Sequence, residues 1–501
     1  MKAIIDIDNE GISQEIEHDG TESSLWKQVG EYLLNIAVPN RITVTSGGQY
    51  AVLDIQKRGS FIKKGIKLPS MYVTCDCNYL QLKPSQYPEA YLKCVNLEGN
   101  NYKFYHLLPQ DSAGKTVAVD AEYGSIDTDT CKPKHLQTPY EPFLYWIRYY
   151  EKLSKGYEDH TKFQLGSKVV KGTVSKKKDN SPNGTLYREL MAYAHHVVKE
   201  SLQDSENITV AQVKEARKEF NKLCAMTTYK GFTNHLQKLI ALSPRNIGNR
   251  AMGHAAHMSE LLPKDFSYQK DKTKRAALEK DEMERIINRE EALLLAMEAV
   301  VGSPNVKSVK DTLDSFKQFD IDVFEATDEQ KKEVMGYLSP RLQAKVDKIY
   351  RIKPHSQEKK MREYCKKHHI KAIKKFWHGS VNANWASIIQ NSLQMKPAAN
   401  GRMFGDGHYF APSADKSFNY TSFRGTTWAH GSSDTGFMGL YAVAYGNPWM
   451  VRNSGRYTES QVRANGYDCV HAAAVNTGLR ADEVIVYSDS AICLNYIVKF
   501  K

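Results

Sequence analysis

The sequence predicts an α+β multidomain chain with β-rich ends and a helical middle. Three observations carry this reading. The 501 residues exceed the roughly 250–300 that a single hydrophobic core organises. Short strand-like runs punctuated by turn residues fill residues 1–80 and the stretch after residue 340. Between residues 186 and 335 the apolar positions recur at helical spacing instead. Hydrophobic residues make up 41% and charged residues 25%, the balance of a soluble globular protein.

Residues 1–84 read as a β-rich module. Ile42–Thr45 and Tyr50–Leu53 flank Ser46-Gly47-Gly48, which is a hairpin signal. No chemistry-bearing motif stands in this module. Residues 85–165 form a second unit, with strands at Tyr102–Tyr105 and Val117–Ala121 and a turn at Tyr123-Gly124-Ser125. An aromatic-rich helix follows from Glu141 to Leu153, with Gly156 placed to cap it. Residues 166–185 read as a basic linker. Five lysines and no acid lie between Gly166 and Lys178, and the turn-rich Asp179–Gly184 follows.

Residues 186–339 read as a helical domain. Thr209 and Gln212 have capping-box spacing, and Val213, Ala216, Phe220 and Leu223 then make one helical stripe. Met283, Ile286, Ile287, Leu294, Met297 and Val301 make another, stopped by Gly302-Ser303-Pro304. These stripes are core positions of a bundle. Residues 340–501 return to strands at Val346–Ile352, Phe437–Tyr445, Val484–Tyr487 and the alternating Leu494, Tyr496, Val498 and Phe500.

Charge and cysteine content narrow the class. Lys and Arg number 69 against 57 Asp and Glu, a net +12 that favours a polyanionic partner. Residues 351–375 alone hold ten basic side chains (Arg351, Lys353, Lys359, Lys360, Arg362, Lys366, Lys367, Lys371, Lys374 and Lys375) against Glu358 and Glu363. Of eight cysteines only Cys75 and Cys77 lie close together, so neither a disulfide scaffold nor a zinc finger is expected. Scattered reduced thiols in an intracellular protein are the expectation. MKAIIDIDNEG lacks a signal-peptide apolar region, and no run of 18 apolar residues occurs. The expected setting is a nucleus or a bacterial-type cytoplasm, without membrane contact.

The chemistry concentrates near the C-terminus. In Phe376-Trp377-His378-Gly379-Ser380 an apolar strand opens into a loop at a histidine, and Gly379 permits close backbone approach. Gly401-Arg402-Met403-Phe404-Gly405-Asp406-Gly407 precedes His408-Tyr409-Phe410. It lacks the Gly-Lys-Ser/Thr of a phosphate loop and the βαβ context of a dinucleotide fingerprint. Ser417 and Tyr420 lie three apart, on one face of a helical turn. Asp482-Glu483 stands directly before an apolar strand, where a carboxylate is costly unless it binds something.

In this order, WHGS, NWASIIQNSL, MFGDGHYFAPSADKSFNY, GFMGLYAVAYGNP, DEVIVY and NYIVKF resemble the catalytic domain of the poly(ADP-ribose) polymerases over residues 340–501. The resemblance implies an ADP-ribosyltransferase fold built on antiparallel sheets. It implies NAD+ as substrate and release of nicotinamide, and nothing in it requires a metal. His378 would bond the adenine-side ribose. Gly379, with Ser380 beside it, would clamp the nicotinamide carboxamide, and Ser417 would add a hydroxyl. Tyr409 and Tyr420 would sandwich the nicotinamide ring, and Glu483 would bond the ribose and orient the acceptor. Lys416 would give polar support, and Met403 would lie at the acceptor end. His378, Tyr409 and Glu483 form the set that this family associates with chain elongation. Gln394 stands where an arginine is common, and Asp406 and His408 replace more usual residues.

Residues 85–165 resemble a WGR domain less closely, with Tyr123-Gly124-Ser125 where Trp-Gly-Arg is expected. Residues 186–339 occupy the place of the family's regulatory helical domain. The implied partners are DNA ends or breaks and protein acceptors, the enzyme itself included. Two alternatives stay open: a mono-ADP-ribosyltransferase acting on protein or nucleic-acid ends, and a catalytically weak DNA-binding scaffold.

Overall fold

The computed structural model describes residues 1–7, 11–35, 41–63, 66–76, 80–99, 101–126, 132–164, 179–203, 205, 208–246, 260–302, 314–395 and 403–501, by backbone alone at 34–35 and 57–72. The five linker lysines, Cys77, Ser303-Pro304 and Gly401-Arg402 lie outside them. Two compact units emerge, one of residues 1–167 with 240–262 and the other of 168–239 with 263–501.

The first unit holds two five-stranded antiparallel sheets. One has the order β2-β1-β3-β4-β5, from β1 (Lys2–Ile7), β2 (Ile12–Glu17), β3 (Arg41–Ser46), β4 (Gln49–Lys63) and β5 (Ile66–Asp76). The expected hairpin is present: Ser46 pairs with Gln49, and Gly47 and Gly48 take φ of +58° and +79°. Both central residues of this tight turn need positive φ, which glycine supplies without strain. A helix at Glu22–Asn35, absent from the sequence reading, seats Leu25, Trp26, Val29 and Leu33 against Ile5, Val44 and Leu53. Cys75 is disulfide-bonded, contrary to the expectation of thiols throughout, whereas Cys94, Cys224, Cys365, Cys469 and Cys493 are free and buried.

The other sheet has the order β10-β6-β7-β8-β9, from β6 (Ala90–Asn96), β7 (Asn101–Ser112), β8 (Lys115–Ser125), β9 (Lys134–His135) and β10 (Glu158–Asp159). Tyr123-Gly124-Ser125 is strand here, not the expected turn. β8 continues because β7 pairs with it as far as Ser125 and β9 pairs with Tyr123 from the other side. The aromatic helix runs Leu144–Ser154, and Gly156 follows with φ +89°.

In the second unit the helix Val210–Cys224 opens on the expected capping box of Thr209 and Gln212, and Val213, Ala216, Phe220 and Leu223 are buried. The helix Lys272–Val301 starts well before the apolar stripe, under an Asp271 cap, and ends at Gly302. Among the described residues no helix is long and apolar enough to cross a membrane.

The remaining strands are β11 (Ile321–Glu325), β12 (Val346–Pro354), β13 (Ile373–Gly379), β14 (His408–Phe410), β15 (Gly436–Ala444), β16 (Pro448–Val451), β17 (Cys469–Ala472), β18 (Glu483–Val486) and β19 (Ile492–Phe500). They form a five-stranded sheet, β11-β12-β19-β15-β13, and a four-stranded one, β14-β18-β17-β16. Every pairing is antiparallel except β16 with β17. The two sheets meet where Trp377 and Ala411 exchange N–H···O bonds of 2.9 Å. Trp377 is fully buried, and its indole N–H donates to the Tyr337 carbonyl at 3.1 Å.

The helix Pro182–Ser201 is tied to this sheet by Asn183. Its amide donates to the Ile321 carbonyl at 2.9 Å, and its Oδ1 accepts the Phe316 N–H at 2.7 Å. Asn183 is fully buried, so removing it strands two polar groups, each costing about 1–3 kcal/mol. Asn183→Ala should lower the urea midpoint without changing the slope of the transition, measured by circular dichroism.

Candidate active site

The junction of the two sheets brings the predicted histidine and tyrosine together. His378 Nδ1 lies 3.1 Å from the Tyr409 carbonyl oxygen. A carbonyl can only accept, so Nδ1 carries the proton. Phe410, Tyr441 and Trp385 stand 5.9, 6.2 and 6.4 Å from the imidazole at steep angles, the edge-to-face arrangement that aromatic quadrupoles favour. Opposite His378 in register is Gly439, where a Cβ would come within 2.8 Å of Trp385 and Tyr441. The missing side chain is what lets that wall close on the histidine.

Gly379 earns its place by sterics. A Cβ there would sit 1.8 Å from the Ser417 carbonyl oxygen, so the end of β13 and the helix Ala414–Phe418 meet backbone to backbone. Ser417 is buried, and its carbonyl accepts the Tyr420 N–H at 3.1 Å, which keeps the two in the expected single turn. Ser380 bonds its own loop, accepting from Asn384 Nδ2 at 2.9 Å through Oγ and from the Trp385 indole at 3.2 Å through its carbonyl.

The Tyr409 hydroxyl donates to the Gly405 carbonyl at 2.9 Å and accepts the Phe404 N–H at 3.0 Å. Gly405 has φ +85°, and a Cβ on it would meet the Tyr457 carbonyl at 2.1 Å. His408, whose role the sequence left open, is buried and lies 2.7 Å from Asp489. That bond pins β14 to the turn after β18 and holds the Asp489 carboxyl below its ordinary range. Met403 is 44% exposed and Gln394 is exposed. Among the described contacts, neither side chain is brought to His378 or Glu483.

Glu483 opens β18, two residues before the Ile485 that pairs with Tyr409. Lys416 Nζ lies 2.7 Å from Glu483 Oε1 and donates to the Ala481 carbonyl at 2.9 Å. Both side chains are more than four-fifths buried. The neighbouring Asp482 serves the scaffold: Oδ1 accepts the Ala474 N–H at 2.9 Å and Oδ2 lies 3.1 Å from His471 Nε2. His471 Nδ1 in turn sits 2.7 Å from the Tyr445 hydroxyl. Sequence reasoning missed His471, Tyr445 and this division of labour. The available signal was two adjacent acids entering a strand, whose side chains must face opposite ways. Tyr420 lies within electrostatic reach of Glu483 and Glu284, and desolvation followed by these carboxylates raises its hydroxyl pKa.

The basic run divides by use. Arg351 bonds the Asn495 carbonyl at 2.8 Å, and Lys374 sits 4.1 Å from the Tyr445 ring centre. Lys375 pairs with Glu333. Lys359, Lys360, Arg362, Lys366, Lys367 and Lys371 are exposed. Among the described residues no cluster of three or more His, Cys, Asp or Glu is arranged to hold a metal.

A largely buried carboxylate fixed by a lysine can stabilise a developing cation and accept a hydroxyl proton. Residues 328–501 match the family model of the poly(ADP-ribose) polymerase catalytic domain, which makes this segment an NAD+ ADP-ribosyltransferase domain. A putative poly[ADP-ribose] polymerase-like protein, 100L, of Invertebrate iridescent virus 6 is 25% identical over 182 residues, 34% of this chain and 95% of the viral one. Poly[ADP-ribose] polymerase 1 of Gallus gallus is 26% identical over 216 residues, 36% of this chain and 20% of that protein. Protein mono-ADP-ribosyltransferase PARP3 of Gallus gallus is 29% identical over 168 residues, 33% of this chain and 30% of its own length. The chain thus spans less than a third of either chicken protein.

Two outcomes test the geometry. Gly379→Ala must displace the Ser417 carbonyl, so the variant should lose about 1–3 kcal/mol of stability in a urea melt. The Ala474 N–H, with His471, holds the Asp482 carboxyl below its ordinary value of 3.8. The unfolded chain therefore binds the proton first, and the stability Asp482 contributes is present above pH about 4 and lost as pH falls through the lowered pKa. Asp482→Asn should flatten that acid limb in urea melts taken across pH.

Proposed function

We propose that this protein is an NAD+-dependent poly(ADP-ribose) polymerase that modifies proteins, itself included, and is stimulated by DNA ends or breaks. The single observation that carries the reading is the Lys416–Glu483 pair, with Glu483 on the strand that pairs with the Tyr409 strand. Lys416 takes Glu483 Oε1, leaving Oε2 without a partner among the described residues. That oxygen bonds the 2′-hydroxyl of the nicotinamide ribose and receives the acceptor's proton. Breaking the nicotinamide–ribose bond develops oxocarbenium character, which the carboxylate stabilises as in glycoside hydrolysis. Nicotinamide leaves with the bonding electrons, and the acceptor oxygen takes its place on the anomeric carbon.

The other roles follow from where the chain can approach. Gly379 offers its main chain to the carboxamide because no side chain intervenes, and Ser417 adds its hydroxyl. Ser380 shapes the same loop. Tyr409 and Tyr420 stack on the ring, each contact worth about 1 kcal/mol. His378 donates to or accepts from the adenine-side ribose, and Met403 marks the acceptor side. The WGR-like residues 85–165 and the exposed cations of 359–371 are the proposed route to DNA phosphates. The helices of 186–339 are the proposed regulatory element.

Labelled NAD+ with nicked DNA should yield high-molecular-weight adducts on the enzyme, and single additions would favour the mono-transferase named among its relatives. No nicotinamide release at all would leave the scaffold reading. Glu483→Gln should abolish elongation more than NAD+ cleavage, resolved by gel and nicotinamide assay. Equal loss of both contradicts the role given to Glu483.

A further inference from the structure

We propose that Trp428 and Arg480 are positioning residues that hold the Tyr420 ring and the Glu483-bearing segment in one stack. The inference rests on the reading above that Tyr420 packs against nicotinamide. The Trp428 ring lies 6.3 Å from that of Tyr420 at 18°, and the Arg480 guanidinium lies 5.8 Å from the Trp428 ring centre. Trp428 is 53% exposed and Tyr420 42%, so burial alone does not fix either ring.

The loop that presents Trp428 is held by its backbone. Trp428 and Ala429 N–H groups donate to the Asn419 carbonyl at 3.1 and 3.0 Å, and the Thr427 N–H donates to Asn419 Oδ1 at 3.2 Å. Asn419 directly precedes Tyr420, so the loop and the tyrosine share one anchor. Buried Thr426 closes the loop: its Oγ1 lies 2.9 Å from the Thr421 and Phe423 carbonyls and accepts the Gly431 N–H at 3.0 Å. Arg480 stands three residues before Glu483, next to the Ala481 whose carbonyl accepts from Lys416. The helix bearing Ser417 and the strand bearing Glu483 are therefore tied twice, by Lys416 and by the Tyr420–Trp428–Arg480 stack. The effect of the stack is to keep the Tyr420 ring where a planar ligand meets it.

Trp428→Ala should raise the KM for NAD+ and the inhibition constant of nicotinamide together, by about three- to tenfold, with kcat changed less than about twofold. Trp428→Phe should restore both constants, and adding Arg480→Ala to Trp428→Ala should cost little more, because Arg480 acts through the indole. An unchanged nicotinamide constant, or a Phe variant as impaired as the Ala one, overturns the proposal. A second measurement does not depend on turnover: nitration of Tyr420 by tetranitromethane, mapped by mass spectrometry, should be faster in Trp428→Ala. Equal rates overturn the stack. A wild-type protein that releases no nicotinamide removes the NAD+ reading, while the nitration rates still decide the stack.

Discussion

Two hydrogen bonds between Trp377 and Ala411 are the constraint on which the site depends. They splice a five-stranded sheet to a four-stranded one at the strand ends that carry His378 and Tyr409. Neither sheet alone holds the set: His378 lies on β13, Tyr409 on β14 and Glu483 on β18, while Lys416 and Ser417 sit on a short helix between β14 and β15. Burying Trp377 completely, with its indole N–H satisfied, makes that splice rigid, because a buried donor without a partner is costly.

Around this splice the charges are arranged by proximity to solvent. Glu483 and Lys416 face each other behind protein walls, where a charge without its partner would be expensive. Asp482 and His471 form a second pair that keeps the strand entry in place, and only its carboxylate is the more exposed. The two adjacent acids therefore do different work. The basic surplus divides in the same way: Arg351, Lys374 and Lys375 bind the protein's own aromatic rings, carbonyls and carboxylates, and the cations from Lys359 to Lys371 remain at the surface. A net charge counted from the sequence sums both kinds.

Much of the catalytic domain was legible because its residues are constrained locally. His378-Gly379, the glycine loop and the Asp482-Glu483 strand entry each need a particular residue type for a steric or electrostatic reason, and the structure gives that reason at each. The Thr209 capping box and the Gly47-Gly48 turn were legible on the same ground. The helix Glu22–Asn35 was not, since its Leu25, Trp26, Val29 and Leu33 spacing lay among strand-like runs that dominated the reading. Tyr123-Gly124-Ser125 has the residues of a turn yet is strand, because strand pairing from both sides is a property of neighbours, not of the tripeptide. The Asp482–His471–Tyr445 chain and the Trp428 loop depend on contacts between distant segments, which spacing along the chain does not encode.

The backbone meeting of Gly379 and Ser417 has a consequence for selectivity. A ligand that grips the site through main-chain groups there is recognised by atoms that every amino acid possesses. Point substitutions can deform such a surface but cannot repaint it, and the contact at Gly379 admits no larger residue. Compounds anchored on this main chain should therefore be hard to escape by single mutations and hard to confine to one relative. Discrimination between family members has to come from the side chains at the rim.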